Sequence, residues 1–320
     1  MIKYLKSTAF SSLLLLGVLF VLLKFPIWLD GNNQSIIIKA FSPTHYYIFI
    51  ENYTLSFCSA QLIILIQAIW INYLFISSSF IREKTIVPAY LFILLSSAVN
   101  SYNFINTYHI IITIFIGLYH LFLRINFKEQ SKSDIFNAGC LFGIAIILLP
   151  NLILFIPFLL IIIFVIKPLQ IKELLLVIIG ILCIPFFYLS FVYLLEFKIV
   201  LPFNFYFYPS NISNEDISIQ ISIFIIALCS ILSLFGMIGI KQSTENRVKR
   251  NVDMVFLLAI GLLTIILFNT YYFPDSTVFI FIPSTLFISI FLHRIKNKKM
   301  VEFLNIILLI SIFITYVYKN

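Results

Sequence analysis

Long apolar stretches alternate with short polar gaps along the whole chain of 320 residues. A helix needs about 20 apolar residues to cross a bilayer, and shorter segments cross where a bundle tilts or thins the membrane. The pattern therefore predicts an all-α fold, a polytopic bundle of eleven transmembrane helices that forms one membrane domain over residues 1–320. The predicted spans are 8–29, 55–79, 86–100, 107–124, 135–149, 152–166, 174–195, 217–240, 252–270, 277–293 and 301–318.

The lysine and arginine residues are divided unevenly between alternate polar gaps. Seventeen of the 21 fall on one side of the predicted topology, and the other side holds Lys24, Lys39, Lys198 and Lys319. Cytoplasmic loops carry an excess of Lys and Arg, so the N-terminus is predicted inside and the C-terminus outside. No small-residue cleavage site follows the first apolar run, which we therefore interpret as an uncleaved span.

Two of the predicted hairpins depend on this charge pattern. Residues 135–166 form one apolar run of 32 residues with basic residues on both flanks, so the run must cross the membrane twice. Pro150 and Asn151 supply the turn, because proline breaks the helical hydrogen-bond ladder and asparagine tolerates turn geometry. The stretch 86–124 has the same basic flanks, and its polar tip includes Asn100, Tyr102 and Asn103.

Composition excludes a soluble globule and gives no sign of a nucleic-acid partner. Hydrophobic residues make up 62% of the chain and charged residues 11%, whereas a soluble domain carries roughly 25% charged residues. The net charge of +8 is dispersed among membrane loops rather than gathered on one domain, which fits the positive-inside bias. The four cysteines lie singly in apolar stretches, without the spacing of a disulfide framework or a zinc site.

Two predicted outer loops, 30–54 and 196–216, contain the candidate chemistry. Asp30 and Glu51 lie in the first loop, and an aromatic run from Phe203 to Tyr208 lies in the second. A carboxylate here can serve as a general base or hold a divalent metal, while the aromatic residues line a groove for a lipid tail or a sugar. The alternative is that the carboxylates are solvated loop ends and the aromatic residues form the interfacial belt. The pattern identifies no particular metal or cofactor.

The predicted membrane interior carries little other chemistry. His109, at the outer end of its span, is a further catalytic candidate, and it lies eleven residues from His120, about 16 Å along a helix and too far to share a metal. Ionisable residues are lacking away from the span ends, which disfavours an ion-coupled transporter. Gly139 and Gly143 form a Gly-x-x-x-Gly step that predicts close helix packing.

The segment from Asn137 to Phe155, followed by an apolar span, a basic loop and the stretch 174–195 with Gly180 and Pro185, carries a resemblance. It resembles an uncharacterised family of bacterial polytopic membrane proteins. More remotely, it is similar to the membrane fold of C-type glycosyltransferases. That likeness implies transfer of a sugar from a polyprenyl-phosphate donor, with an acidic catalytic residue in the first outer loop. Asp30 occupies the comparable position, and Glu51 is the second candidate.

The expected protein is therefore a multi-pass protein of the bacterial inner membrane that acts in envelope glycan assembly. Its expected partners are the lipid bilayer, a polyprenyl-phosphate lipid and other envelope membrane proteins. The first outer loop is only about 25 residues long, and the break at Pro150 lacks the lysine often found there in the resembling enzymes. A non-catalytic subunit that scaffolds an envelope complex is thus the alternative, and a lipid or polymer transporter is the third reading.

Overall fold

Every regular element that the computed structural model describes is helical. The structure describes residues 10–31, 53–81, 84–127, 131–167, 171–195, 230–231, 246–268, 276–295 and 298–317. Its α-helices are α1 (Phe10–Gly31), α2 (Tyr53–Ser77), α3 (Val87–Ser96), α4 (Thr107–Phe127), α5 (Lys132–Leu148), α6 (Ile156–Ile166), α7 (Ile171–Leu194), α8 (Asn246–Phe268), α9 (Phe281–Arg294) and α10 (Lys298–Val317). Short 3-10 helices cover Asn100–Asn103, Pro150–Phe155 and Thr277–Ile280. Helices suit these apolar runs because each one satisfies its own backbone hydrogen bonds.

The ends of the helices gather into two groups. At the end that we call the basic end, Asn251 near the start of α8 donates to the Ser78 carbonyl just after α2 and accepts from Asn126 at the end of α4. Thr85, before α3, meets His293 at the end of α9 there. At the other end, the polar end, Ser56 of α2 accepts a hydrogen bond from the backbone of Ile105, before α4. Helices α2, α3 and α4 therefore run in alternating directions, as the predicted hairpin over 86–124 requires.

The predicted break at Pro150 is confirmed. Helix α5 ends at Leu148, Leu149 is extended with φ −143° and ψ 95°, and Pro150 opens a 3-10 helix that leads into α6. The Lys167 ammonium, directly after α6, lies 3.5 Å from the hydroxyl of Ser131, directly before α5. The chain thus returns to the end of the bundle from which it started.

Helices α5 and α7 pack through glycine, as the Gly-x-x-x-Gly step predicted. A Cβ atom added at Gly139 would stand 2.5 Å from the Val177 carbonyl oxygen, and one at Gly143 would stand 2.7 Å from the Ile181 oxygen. Both sets of contacts advance along the two helices together, so α5 and α7 are parallel. Small residues allow such close backbone approach between apolar helices, where van der Waals packing supplies the association energy.

Four described helical segments are long and apolar enough to cross a membrane, namely Thr54–Ser77, Thr107–Asn126, Ile171–Leu194 and Thr277–Arg294. Shorter apolar helices are Leu16–Phe25, Val87–Ser96 and Pro150–Ile166. Helix α3 ends four residues before the predicted limit of the span 86–100, and the span 217–240 lies almost wholly outside the described residues. One continuous hydrophobic core runs from Leu16 in α1 to Leu308 in α10.

Candidate functional site

A lysine lies buried inside the polar end of the bundle. Lys24 belongs to α1, which continues for seven residues beyond it to Gly31, and its side chain is only 3% exposed. Its ammonium donates to Asn103 Oδ1 at 2.6 Å and to Ser96 Oγ at 3.2 Å. Ser96 ends α3 and Asn103 ends the 3-10 helix that follows, so three elements hold one cation.

Asn103 is fixed by further hydrogen bonds of its own. Its Nδ2 atom donates to the Val99 carbonyl at 3.3 Å, which turns Oδ1 towards Lys24. Its backbone carbonyl accepts a hydrogen bond of 3.0 Å from Gln61 Nε2 on α2. Asn103 belongs to the polar tip of the predicted hairpin over 86–124, and a reading of this tip as accessible from outside is wrong, because the side chain is fully buried. Because α3 is short, the tip lies inside the bundle. There Lys24 and Gln61 form the hydrogen bonds to Asn103 that water would form at an exposed tip.

A second group of polar side chains extends the site along α2 and α4. Tyr102 donates from its hydroxyl to Gln67 Oε1 at 2.7 Å, and its ring stacks on His109 with 4.1 Å between ring centroids. Gln67 Nε2 donates to the His109 carbonyl at 2.8 Å and to Thr113 Oγ1 at 2.9 Å. The amide of Gln67 therefore uses both its oxygen and its nitrogen in the network. This buried network holds the loop before α4 in place, and within it the Nδ1 atom of His109 has no hydrogen-bond partner among the described residues.

The partners of Lys24 distinguish the polar end from the basic end. At the basic end the buried carboxylates are paired, Asp134 with Arg124 at 3.0 Å and Glu173 with Lys167 at 2.8 Å. Among the described residues no carboxylate pairs with Lys24, whose two acceptors are neutral oxygens. Burying an unpaired charge is costly, and a cation inside a membrane bundle commonly marks a binding site.

The residues predicted as catalytic lie close to this site in the chain, and their catalytic role stays a prediction. Asp30 is the penultimate residue of α1, and its side chain lies outside the described part of the chain, as does the whole of Glu51. His109 is fully buried at the start of α4, where Nε2 lies 3.0 Å from the Phe104 carbonyl. Its ring therefore packs within the network, and its meeting with Asp30 and Glu51 stays a prediction.

Lys24 is the residue that the sequence argument missed. The charge count placed it with the outer loops, although α1 continues for seven residues beyond it to Gly31. That separation is the signal that could have placed it inside the bundle. Within the described residues no group of three His, Cys, Asp or Glu side chains is arranged to hold a metal ion.

Taken together, the apolar helices and the buried polar end define a polytopic α-helical membrane protein. Residues 32–320 match the model of a family described as "Family of unknown function (DUF6427)". The match covers most of the chain, so the protein belongs to this family. The expectation that the chain belongs to an uncharacterised family is therefore confirmed. No curated protein and no solved structure matches the chain.

Proposed function

We propose that the protein is an eleven-span protein of a bacterial inner membrane, with its N-terminus in the cytoplasm and its C-terminus outside. In this proposal it transfers a sugar from a polyprenyl-phosphate donor during envelope glycan assembly, as C-type glycosyltransferases do. The observation that supports this function best is the buried ammonium of Lys24, which lacks a carboxylate partner among the described residues.

The phosphate of the donor lipid supplies the missing negative charge. An ammonium that already has two neutral acceptors retains a third N–H, which forms a charge-assisted hydrogen bond to a phosphate oxygen. The dry surroundings strengthen that interaction, since charges attract more strongly at low dielectric. The polyprenyl chain then lies in the bilayer beside the apolar helices. One lipid thus provides a phosphate for the Lys24 ammonium and an apolar chain that stays in the membrane.

Asp30 is the proposed catalytic carboxylate. It follows Lys24 by six residues on α1, which is about 9 Å along the helix axis and about a third of a turn around it, and in this proposal a sugar phosphate bridges the two residues. The Asp30 carboxylate, with Glu51 as the second candidate, accepts the proton of the acceptor hydroxyl. That oxygen forms a bond to the anomeric carbon as the bond from this carbon to the phosphate oxygen breaks. The polyprenyl phosphate leaves as an anion that Lys24 stabilises. His109 acts as a positioning residue, through Tyr102 and the adjacent Asn103.

Lipid binding tests the cation without requiring a known acceptor. Purified protein is titrated with a polyprenyl phosphate and with the polyprenol that lacks the phosphate. Wild type should prefer the phosphate, Lys24→Met should bind both lipids equally, and Lys24→Arg should keep part of the preference. Lys84→Met, which removes an exposed lysine at the basic end, is the matched control and should leave the preference unchanged. Equal binding of the two lipids by wild type would refute the proposed role of Lys24.

Loss of the carboxylate tests catalysis separately. Asp30→Asn should lower glycan product about 10²–10⁴-fold, the loss typical of removing a positioned acid or base, and Glu51→Gln should lower it by a comparable or smaller factor. Both variants should still bind polyprenyl phosphate. If both support full glycan synthesis at normal expression, the protein is not the transferase.

A non-catalytic membrane subunit is the second candidate, and the exposure of α7 favours it. Phe186, Phe187 and Phe191 are each more than 60% exposed on this helix. In that role α7 packs against another envelope membrane protein. A photoreactive amino acid at Phe187 should then cross-link to one protein partner in cells, whereas cross-links to lipid alone would contradict this candidate.

A further inference from the structure

The exposed surface of the basic end is cationic. In the described segments that form this end, eleven Lys and Arg residues stand against four Asp and Glu residues. The buried acid Asp134 forms an ion pair with Arg124, and the buried acid Glu173 forms one with Lys167. The exposed cations Lys132, Lys172 and Arg250 have no carboxylate partner within the described part of the chain.

These three cations belong to chain segments that meet at the end of α6. Arg250 Nη1 donates to the carbonyl of Ile166, the last residue of α6, at 2.9 Å. The ammonium of the following residue, Lys167, contacts both Ser131 and Glu173. Lys132 follows Ser131 directly and Lys172 precedes Glu173 directly, so contacts in the structure bring the starts of α5, α7 and α8 to one place.

An apolar stripe begins directly beside this charge. Leu175, Ile179 and Leu182 follow Lys172 by three, seven and ten residues, a spacing that keeps them on the same face of α7. Their exposed fractions are 51%, 54% and 60%. A cationic group at the head of an exposed apolar helix face matches a molecule with an anionic head and an apolar tail.

We infer that Lys132, Lys172 and Arg250 bind the phosphate of an anionic phospholipid whose acyl chain lies along α7. The apolar stripe favours a lipid over an acidic protein as the ligand. A soluble acidic segment would pair with the cations but would not contact the apolar side chains of the stripe. The position also fits, since basic residues at the ends of transmembrane helices meet the phosphate layer of the membrane. This site is at the opposite end of the bundle from Lys24 and is independent of the proposed transferase activity.

Native mass spectrometry of the purified full-length protein tests the inference, with phosphatidylglycerol and phosphatidylcholine of the same acyl chains as probes. Wild type should retain more phosphatidylglycerol, and the preference should fall at 1 M salt, where the Debye length shrinks to about 3 Å. The double variant Lys132→Gln/Lys172→Gln should weaken phosphatidylglycerol binding by about 30-fold, as expected for two cations near a membrane surface. Both side chains are exposed, so the variant should fold normally.

The matched control is Glu302→Gln, which removes an exposed charge of the opposite sign at the same end and should keep the preference. A second double variant, Leu175→Ser/Ile179→Ser, should weaken the binding of both lipids by removing the acyl-chain contact. Equal binding of the two lipids by wild type would overturn the inference and leave an acidic protein as the occupant of this surface. Retention of the full preference by the double lysine variant would also overturn it.

Discussion

The glycine contact between α5 and α7 supports a quantitative prediction about stability. In Gly139→Ala the new Cβ would stand 2.5 Å from the Val177 carbonyl oxygen and 3.1 Å from the Gly180 Cα. Both neighbours are backbone atoms of α7, so no side chain can rotate away. Restoring an ordinary contact of at least 3.4 Å requires the helices to separate by about 0.9 Å at this point.

Two terms of opposite sign determine the outcome. Replacing glycine by alanine in a helix gains roughly 0.5–1 kcal/mol from backbone entropy. Overpacking a close contact costs typically about 1–3 kcal/mol. The separation also weakens the neighbouring contacts at Gly143 and Gly180, where an added Cβ would stand 2.7 and 2.6 Å from backbone oxygens. We therefore expect net destabilisation of Gly139→Ala by about 1–2 kcal/mol.

The chain offers two control glycines. An added Cβ at Gly17 meets nothing within 4 Å, and one at Gly117 meets only side-chain atoms at 3.6 Å. Gly17→Ala and Gly117→Ala should therefore be neutral or slightly stabilising. The measurement is the unfolding midpoint of each purified variant in the same detergent. If Gly139→Ala unfolds at or above the midpoint of Gly17→Ala, the close parallel packing of α5 and α7 is wrong.

Three further predictions concern other parts of the bundle. Asn251→Ala removes the side-chain donor to the Ser78 carbonyl and one of the two acceptors of Asn126 Nδ2, which keeps its bond to the Arg247 carbonyl, so it should lower the free energy of unfolding by about 1–3 kcal/mol, and a double-mutant cycle with Asn126→Ala should show coupling. Tyr102→Phe keeps the ring stack on His109 but removes the donor to Gln67 Oε1, so it should cost about 1–2 kcal/mol, whereas Gln67→Ala breaks three hydrogen bonds and should cost more. Cysteines at Gln130 and Ser243 should be shielded from a membrane-impermeant thiol reagent in intact cells while one at Ser210 is labelled, and labelling of Gln130 from outside would reverse the predicted orientation.

The helices and their breaks were predictable because local chemistry determines them. Proline at 150 cannot continue the helical ladder, and two glycines four residues apart present a flat helix face, so the break and the close packing followed from residues near in the chain. The relative direction of α5 and α6 followed from matching basic flanks, since charge sets the side on which each loop stays.

The candidate site could be predicted only in part, since its contacts join distant parts of the chain. Lys24 meets Ser96 and Asn103, which lie 72 and 79 positions away, and no local pattern in the sequence fixes such a meeting. The polar tip with Tyr102 and Asn103 looked like a solvated loop for the same reason. Whether this tip is buried depends on the length of α3. Because α3 ends at Ser96, the tip lies inside the bundle.

A structure determined with added polyprenyl phosphate tests the central claim most directly. We expect lipid phosphate at the polar end, with one oxygen about 2.7–2.9 Å from Lys24 Nζ, the distance of a charge-assisted hydrogen bond. The phosphate oxygens that are not bonded to the prenyl chain should face the end of α1, towards Asp30. Lipid phosphate bound elsewhere on the protein, with the Lys24 ammonium still closed on Ser96 and Asn103 alone, would contradict the account.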